Sequence, residues 1–530
     1  MMELKNMFLN HIYKIKKLRY NFIMKILQEN VSKQEVKEFL YYGMSYEDKQ
    51  LYQQVNESQA NIFQFSGNTA SGMIQKAIPQ NFDELTCLNA LSRPGSSFSF
   101  DDFVANGAEG SKYPEVISKF LKDSHGCILF QEEIMKLVED LSNGKIKGNY
   151  ARGLLKKLGK ANKKQEDLDA WDKLVNTIKE EAKSKLTTAE IDEFTADLIT
   201  LSAYSFNKSH AAAYTYVACE TLYMSRYFKP YFWAASLTYD ATKNDVIKDS
   251  IKSAQKNGFK ILPPDVNSSN LHFTPISKSE IRFGLNEIKG VGEEPAKNII
   301  DLRGDGYKSI IDFIIKTIGT KVNKRITLAL IGGGAFDNLI PEGERKKYLK
   351  ITEQFYVDKK TSKNPDKLRE VWEKCVEDHY LDGKTSNEEY MEMEKNYLSG
   401  SFFHGVFNPE VNEKIEKLYS LNKALRTFAE VREEDRSSAY VPVYCSGYRY
   451  HVQKNGLEMC FLTCEDMSGE TISIPVFASY WEFVKIKFFG EGYYLIKVFP
   501  KEDGQIMFGS RNYLMSADSK RQCMLHWKIK

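Results

Sequence analysis

The spacing of apolar residues along the chain predicts helices first and strands last. In "QEEIMKLVEDLS", Ile134, Leu137, Val138 and Leu141 recur at helical spacing. The segment "ANKKQEDLDAWDKLVNTIKEEAKSKL" indicates a charged helix. The segment "SHAAAYTYVACETLYMSRYF" indicates a buried, aromatic-rich helix that Pro230 helps to end. The pattern therefore predicts a mainly helical region before residue 246.

The last part of the chain alternates between apolar and polar residues. Its strand-like runs are "VPVYCSGYRYHV", "LEMCFLTCED", "TISIPVFA", "YYLIKVFP" and "QIMFGS", and the turns "KNG", "SGE" and "EDG" separate several of them. Five short strands with one helical segment, "SYWEFVKIKF", predict a small Greek-key barrel of the OB type. The predicted fold class is α+β, with several domains.

Composition shifts between these regions predict six segments. They are a basic, apolar lead-in at 1–45, the helical region at 46–245, short helices with glycine turns at 246–345, a charged helical connector at 346–435, the barrel at 436–517 and a tail at 518–530. The lead-in carries too many lysines and arginines to cross a bilayer as one span, and it lacks a signal-peptide pattern. We expect it to form an amphipathic helix that docks on a partner or on the body of the protein.

Net charge and cysteine spacing indicate which kinds of surface, disulfide and metal site the sequence favours. The 74 basic and 71 acidic residues give a formal charge of +3, so any basic surface must be local. The eight cysteines lie far apart, which favours reduced thiols over a disulfide framework. Cys460 and Cys464 are the closest pair, but they fall in or beside a strand and have no second pair at zinc spacing. We predict no metal site there.

The segment "YSFNKSHAAAYTY" places polar side chains directly before a helix. Ser209 is the predicted N-cap, and the helix start beside Lys208 and His210 would attract an anion such as a phosphate. The alternative is an ordinary capped helix with a solvated lysine.

The segment "IKGVGEEPAKNI" fits the helix-hairpin-helix pattern. Gly290 and Gly292 permit a tight hairpin around Val291, and the backbone N–H groups of such a hairpin can bind DNA phosphates without reading sequence. Lys289 adds a positive charge beside them. The alternative is a structural corner that binds nothing.

Three weaker motifs could bind phosphate or another anion, but each can also be explained as an ordinary structural feature. Lys156 and Lys157 in "RGLLKKLGKANKK" would grip a triphosphate or a DNA backbone, but a charge run is usually a solvated face. Arg93 in "LNALSRPGSS" would point at an oxyanion from a rigid turn, or lie in a plain surface turn. In "HGCILFQEEIM", a predicted strand meets a helix at Gln131 and Glu132, where capping is the simpler reading.

These motifs follow one another in a specific order. "LNALSRPG", "CILFQEEIM", "LLKKLGK", "FNKSHAAAY", "ILPPDVN", "FGLNEIKGVGEEPAKNII" and "GGGAFDNL" occur as they do in the alpha subunit of bacterial DNA polymerase III, the C-family replicative polymerase. The chain resembles this family from about residue 46 to the end of the predicted barrel. The resemblance implies polymerase fingers at 46–245, a tandem helix-hairpin-helix domain at 246–345 and an OB domain.

The resemblance implies part of a DNA-directed DNA polymerase, a nucleotidyltransferase that binds deoxynucleoside triphosphates and primer-template DNA. The residues that it implies for the incoming nucleotide are Arg93, Lys156, Lys157, Asn207, Lys208, Ser209 and His210. Those for DNA are Lys289, Gly290, Val291 and Gly292 in the hairpin, with Tyr448, Tyr450 and Phe461 as stacking platforms for single-stranded template.

The sequence departs from the family at the catalytic metal site. Relatives bind Mg²⁺ through palm aspartates that include an Asp-x-Asp pair and precede the matching segment. The Asp-x-Asp of this chain is Asp167 and Asp169, in a predicted helix where they lie about 200° apart around the axis. They cannot converge on one metal, so we expect Mg²⁺ to be held by a separate palm-bearing fragment.

Other departures concern partners. Relatives bind a sliding clamp, a further expected partner, but the glutamine-rich clamp-binding pentapeptide is absent between the hairpin region and the barrel. The lysine- and tyrosine-rich usage and the expected split indicate a bacteriophage gene, whose product would work in the cytoplasm of a bacterium or an infected bacterial cell. The alternative function is a non-catalytic DNA-binding accessory protein that retains the hairpin and barrel modules.

Overall fold

The structure is a computed structural model. It describes residues 47–93, 99–158, 164–202, 206–243, 246–379, 383–407, 411–413, 415, 425–433, 438–501, 504–510, 519–520 and 523–527. The predicted docking helix at 1–45 lies outside these residues. The chain divides into two compact units, one ending at Glu287 and one beginning at Ile288. The domain boundaries expected from sequence stay predictions.

The first unit is mainly helical, as the sequence predicts. Its helices are α1 (Lys49–Glu57), α2 (Asn68–Ala77), α3 (Phe82–Leu91), α4 (Phe100–Glu109), α5 (Glu115–Ser118), α6 (Gln131–Leu141), α7 (Gly148–Leu158), α8 (Gln165–Ala182), α9 (Thr188–Ser202), α10 (Lys208–Tyr227), α11 (Lys229–Ala241) and α12 (Ile247–Lys256). A small sheet follows, in which β1 (Lys260–Leu262) runs parallel and β2 (Thr274–Pro275) antiparallel to β3 (Glu280–Arg282).

Helices α6 to α9 share one hydrophobic core. The predicted apolar face of α6 is confirmed, because Ile134, Leu137, Val138 and Leu141 are all buried in this core. Trp171 of α8 belongs to the same cluster. The core therefore holds α6 in place from Ile134 onward.

Helix α10 packs against α1 and α3, and it ends at Tyr227, directly before α11 with Pro230 in its first turn. The prediction that Ser209 caps this helix is wrong. The N-cap is Asn207, whose side chain accepts a hydrogen bond from the N–H of His210. The helix therefore begins earlier than predicted, and Ser209 lies within its first turn.

The second unit begins with helices and ends in a barrel. The helices are α13 (Glu293–Asp301), α14 (Ile310–Thr317), α15 (Lys324–Gly332), α16 (Arg345–Asp358), α17 (Pro365–Asp378), α18 (Asn387–Leu398), α19 (Phe428–Glu433) and α20 (Ala478–Val484). The strands are β4 (Ala439–Val452), β5 (Glu458–Asp466), β6 (Thr471–Val476), β7 (Gly492–Pro500), β8 (Ile506–Phe508) and β9 (Met524–Trp527).

The five predicted strands are confirmed as an antiparallel sheet in the order β6-β5-β4-β7-β8. Strands β6 and β8, at the two ends of this path, contact each other, so the sheet is nearly closed, like an OB barrel. Trp481 of α20 packs into the barrel core. The sequence did not predict β9, which pairs with β7 in the segment predicted as a tail.

Side-chain alternation builds the barrel core. Cys460, Leu462 and Cys464 of β5 are buried in it, which confirms that the closest cysteine pair lies on a strand. All eight cysteines of the chain are buried, free thiols. Among the described residues, no helix is both long and apolar enough to span a membrane.

Candidate functional site

A short backbone pairing brings the starts of two helices together in the first unit. Phe130, just before α6, forms a parallel bridge with Phe206, just before α10. The N–H of Gln131 donates to the carbonyl of Phe206 (2.9 Å), and the N–H of Phe206 donates to the carbonyl of Leu129 (2.9 Å). The segments "CILFQEE" and "FNKSH", far apart in sequence, therefore meet at one place.

Glu132 binds the start of α10 with both carboxylate oxygens. One accepts from the side-chain amide of Asn207 (2.9 Å) and the other from the backbone N–H of Lys208 (2.8 Å). The side-chain oxygen of Asn207 in turn accepts from the N–H of His210 and from the hydroxyl of Ser209. This helix start does attract an anionic group, but in this structure the group is the protein's own carboxylate.

Lys208 lies between an acidic side chain and an aromatic ring. Its Nζ atom is 2.9 Å from a carboxylate oxygen of Asp123 and 5.6 Å from the centroid of the Phe130 ring. Burial lowers the pKa of Lys208, but the hydrogen bond and charge of Asp123 outweigh burial, so the pKa is raised overall. Lys208 is therefore a fixed positive charge at this junction.

Arg93 and His210 lie on the same aromatic cluster. The guanidinium carbon of Arg93 is 5.7 Å from the centroid of the Phe206 ring, and the His210 ring lies 5.5 Å from Phe206 and 4.5 Å from Tyr214. Burial, followed by the charge of Arg93, lowers the pKa of His210. His210 is thus a neutral hydrogen-bonding group beside an exposed cation at neutral pH.

Glu133 is a buried carboxyl beneath this junction. It accepts from the N–H groups of Leu129 (3.1 Å) and Phe130 (2.9 Å), so it holds the strand-like segment that pairs with Phe206. Burial raises the pKa of Glu133 to about 7, although these hydrogen bonds and Lys208 act in the opposite direction. Its protonation state therefore changes near neutral pH.

The structure unites only some of the residues predicted to bind the nucleotide. Arg93, Asn207, Lys208, Ser209 and His210 lie around the start of α10, and we call them the junction cluster. Within the described part of the chain, no hydrogen bond or ion pair joins Lys156 or Lys157 to this cluster.

Lys156 is exposed on α7, and the Nζ of Lys157 is 3.0 Å from a carboxylate oxygen of Asp167. Asp169, two residues further along α8, accepts from Gln165 instead, so the Asp-x-Asp pair does point to different neighbours. Among the residues that the structure describes, no group of three or more potential metal-ligating side chains lies together. These residues therefore do not fit a two-metal site.

Sequence reasoning did not assign three acidic residues to the junction. Glu132 and Glu133 stand at the start of a predicted helix, where acidic residues are common, and this signal points only to capping. Asp123 carries no local signal at all, because its partner Lys208 is 85 residues away.

The predicted hairpin lies at the start of the second unit. Gly290 has a positive φ of 94°, Lys289, Gly290 and Gly292 are exposed, and Gly292 caps α13. Val291 is buried, and its N–H donates to the carbonyl of Ile288. Val291 therefore anchors the turn, and the N–H groups of Gly290 and Gly292 have no partner among the described residues.

A second hairpin, which the tandem motif implies but which the sequence analysis did not locate, links α14 to α15. Gly319 has a positive φ of 88°, Val322 is buried, and Asn323 caps α15. The exposed guanidinium of Arg325 lies beside the first hairpin, since a Cβ built on Gly290 would be 3.7 Å from its Nε. The signal in "IGTKVN" is a glycine turn with one apolar anchor between two apolar helices.

The three aromatic residues predicted to stack on template do not form one platform. Tyr448 and Tyr450 pair across the strands with Leu462 and Cys460, whereas Phe461 pairs with Arg449 on the opposite face. The Tyr448 ring contacts Phe488, and the Tyr450 ring contacts Trp481. The three residues therefore lie on two faces of the barrel, because successive residues of a strand face opposite sides, and their role in stacking stays a prediction.

Phe461 lies in a groove on the outer face of the barrel. The groove has a volume of about 400 Å³, and it is lined in part by Gln453 and Lys454, which follow β4, and by Lys501 and Gln505, which lie between β7 and β8. Met459, Phe461 and Met507 supply apolar surface, and His451, Lys454 and Lys501 supply polar or basic groups. We call this the barrel groove.

Comparison with known proteins confirms the expected resemblance. Residues 21–184 match the bacterial DNA polymerase III alpha subunit finger domain, and residues 258–348 match the helix-hairpin-helix motif. The DNA polymerase III subunit alpha of Aquifex aeolicus is 33% identical over 324 residues, which cover 59% of this chain and 27% of the relative. The Escherichia coli K12 protein of the same name is 33% identical over 309 residues, which cover 56% and 26%.

The alignment with a third relative covers a larger share of the chain. The DNA polymerase III subunit alpha of Neisseria meningitidis serogroup A is 27% identical over 436 residues, which cover 80% of this chain and 36% of the relative. The chain thus spans about a quarter to a third of the length of these relatives.

The buried carboxyl of Glu133 predicts a pH-dependent stability. Its pKa is about 7 in the folded chain against an ordinary value of 4.5, so the folded state holds the proton that the unfolded state loses. The free energy of unfolding should therefore fall as pH rises from about 5 to 8, by at most roughly 3 kcal/mol from this group. Urea unfolding of wild type and Glu133→Gln across this range measures the difference. Parallel curves for the two proteins would contradict the assignment.

Proposed function

We propose that this chain, which resembles part of the alpha subunit of bacterial DNA polymerase III, is the nucleotide- and DNA-binding part of a replicative DNA-directed DNA polymerase. The observation that carries the proposal is the junction cluster. It joins Arg93, from the segment that matches the polymerase finger domain, to the "FNKSH" element at the start of a helix. Two nearby cations, a neutral histidine and a helix N-terminus together suit a triphosphate.

In the proposed complex, the triphosphate of the incoming deoxynucleotide competes with the acids that now occupy the cluster. Asp123 binds Lys208 at the protein surface, where an ion pair is worth little, so a more highly charged phosphate can replace it. Arg93 and His210, which both lie against the Phe206 ring, then offer further hydrogen-bond donors. Lys156 and Lys157 stay candidates for a separate phosphate contact, and Lys157 would first have to leave Asp167.

The first test concerns nucleotide affinity. Arg93→Ala should weaken binding of a fluorescent deoxyadenosine triphosphate about tenfold or more, the scale of one charge-assisted hydrogen bond. Asp123→Asn should tighten it by roughly two- to fivefold, because it releases Lys208 from a surface ion pair. Fluorescence titration measures both.

Arg226→Ala is the matched control, because Arg226 is exposed in the last turn of α10, about 28 Å from its start. Equal affinities for wild type, Arg93→Ala and Asp123→Asn would remove the junction cluster from the nucleotide site.

The barrel groove is the proposed site for single-stranded template. Barrels of the OB type bind oligonucleotides on the face of their second and third strands and on the adjoining loops. Here those strands are β5 and β6, and the groove includes Phe461 of β5 and residues of two turns. An aromatic ring for base stacking and two lysines for phosphates match the chemistry of single-strand binding.

The second test distinguishes the two aromatic faces of the barrel. Phe461→Ala should lower the affinity for a single-stranded oligonucleotide by about 5- to 100-fold, the range of one base-stacking contact. Tyr448→Ala, on the opposite face, should have the smaller effect. Anisotropy titration of the full chain measures both, and a larger loss for Tyr448→Ala would place the strand on the Tyr448–Tyr450 face.

Duplex DNA is proposed to bind at the two hairpins. Their glycine turns expose the backbone, and the N–H groups of Gly290 and Gly292 point to phosphate rather than base recognition. Lys289 and Arg325 add positive charge beside the first hairpin. We therefore expect affinity without sequence preference.

The catalytic Mg²⁺ is proposed to be held by the aspartates of a palm-bearing fragment. This proposal is supported by the described residues of this chain, which contain no group of three or more potential metal ligands and whose Asp167 and Asp169 bind different neighbours. Their proposed contribution is to position the triphosphate and the DNA, which lowers the entropic cost of the reaction. A sliding clamp is a further proposed partner, and a bacteriophage-infected bacterial cell is the proposed setting.

The third test is reconstitution. The purified chain should bind primer-template but not extend it, and adding the palm-bearing fragment should restore incorporation, because only that fragment brings the metal ligands. Substitution of the fragment's aspartates should abolish the activity, measured by primer extension.

Incorporation by the chain alone, lost on substituting an acidic residue within it, would overturn the composite enzyme. DNA binding without any restored synthesis would instead support a non-catalytic accessory protein.

A further inference from the structure

The turn between α16 and α17 carries a group of three lysines. Lys359, Lys360 and Lys363 fall within five residues, and Lys360 has a positive φ of 47°. Lys360 and Lys363 are exposed and form no ion pair with any residue that the structure describes. We call residues 359–363 the basic turn.

The basic turn lies beside the second hairpin, and Tyr356 connects the two. The Tyr356 hydroxyl is 3.1 Å from the hydroxyl of Thr327 in the first turn of α15, and its ring centroid is 5.4 Å from the Nζ of Lys359. Lys324, at the start of α15, also donates to the carbonyl of Glu353 on α16. The hairpin and the basic turn are therefore neighbours within the second unit.

The acidic residues next to the basic turn form no ion pair with its lysines among the described residues. Asp358 accepts from the side chains of Gln354 (2.8 Å) and Cys375 (3.8 Å), and Asp366 pairs with Arg369. On the hairpin side, Lys321 is exposed and likewise forms no ion pair among the described residues. Positive charge is thus present on both sides of Tyr356.

We propose that the basic turn binds the phosphate backbone of the same DNA duplex that the hairpins hold. The proposal rests on the proposed function of the hairpins and extends their DNA path into the charged connector. Each strand carries one negative charge per about 3.4 Å of duplex axis, so a backbone bound at the second hairpin presents further phosphates to a neighbouring cationic turn. Binding there releases condensed counterions, which is favourable without any base contact.

The experiment measures salt-dependent affinity of the full chain for a labelled primer-template duplex. For Lys360→Ala combined with Lys363→Ala, the slope of log affinity against log salt should become shallower by about two, with roughly tenfold weaker binding per lysine at 0.1 M salt. Lys360→Arg combined with Lys363→Arg should behave like wild type, since charge alone is required.

Lys384→Ala is the matched control. Lys384 is exposed and lies beside Gly343, at the opposite end of α16, about 20 Å from the basic turn. Its removal should leave the slope unchanged.

A hairpin variant separates this inference from the proposed function. If Lys321→Ala with Arg325→Ala weakens duplex binding but the basic-turn variant matches wild type, the hairpins bind DNA and the basic turn is only a solvated loop. If wild type itself does not bind the duplex at low salt, the proposed function fails and this inference fails with it. A basic-turn loss that persists in the arginine variant would point to altered folding and would also overturn it.

Discussion

The pairing of Phe130 with Phe206 is the constraint on which the junction cluster depends. It sets the N-termini of α6 and α10 side by side, where two partial positive charges of the helix dipoles would repel each other. Lys208 and Arg93 add two full charges to this place. An arrangement of this kind is stable only if negative groups lie close to it.

Two carboxylates, Glu132 and Asp123, meet that requirement, and the buried carboxyl of Glu133 supports the backbone beneath them. Glu132 binds the start of α10 directly, Asp123 pairs with the ammonium group of Lys208, and Glu133 holds the backbone of residues 129 and 130 from below. In the proposed complex, the triphosphate replaces the first two acids. Glu133 is buried, so in that complex it stays in place and maintains the backbone pairing.

The sequence predicted those elements whose signals are local. The apolar face of α6 and the five alternating strands are periodic, and both were confirmed. The cap of α10 was misassigned because "NKS" offers two capping residues, and the choice is made by Glu132, 75 residues away. Likewise, Phe461 and Tyr448 lie on opposite faces of the barrel sheet, because strand register decides which face each residue occupies.

The burial of every cysteine has a practical consequence for measuring motion in this protein. A thiol that water cannot reach reacts with a labelling reagent only while its surroundings are open, so its modification rate counts opening events. Cys87 donates to the carbonyl of Asp123 beside the junction cluster, whereas Cys464 lies in the barrel core of the second unit. The modification rates of Cys87 and Cys464 therefore report separately on opening in the first and in the second unit, without any engineered probe.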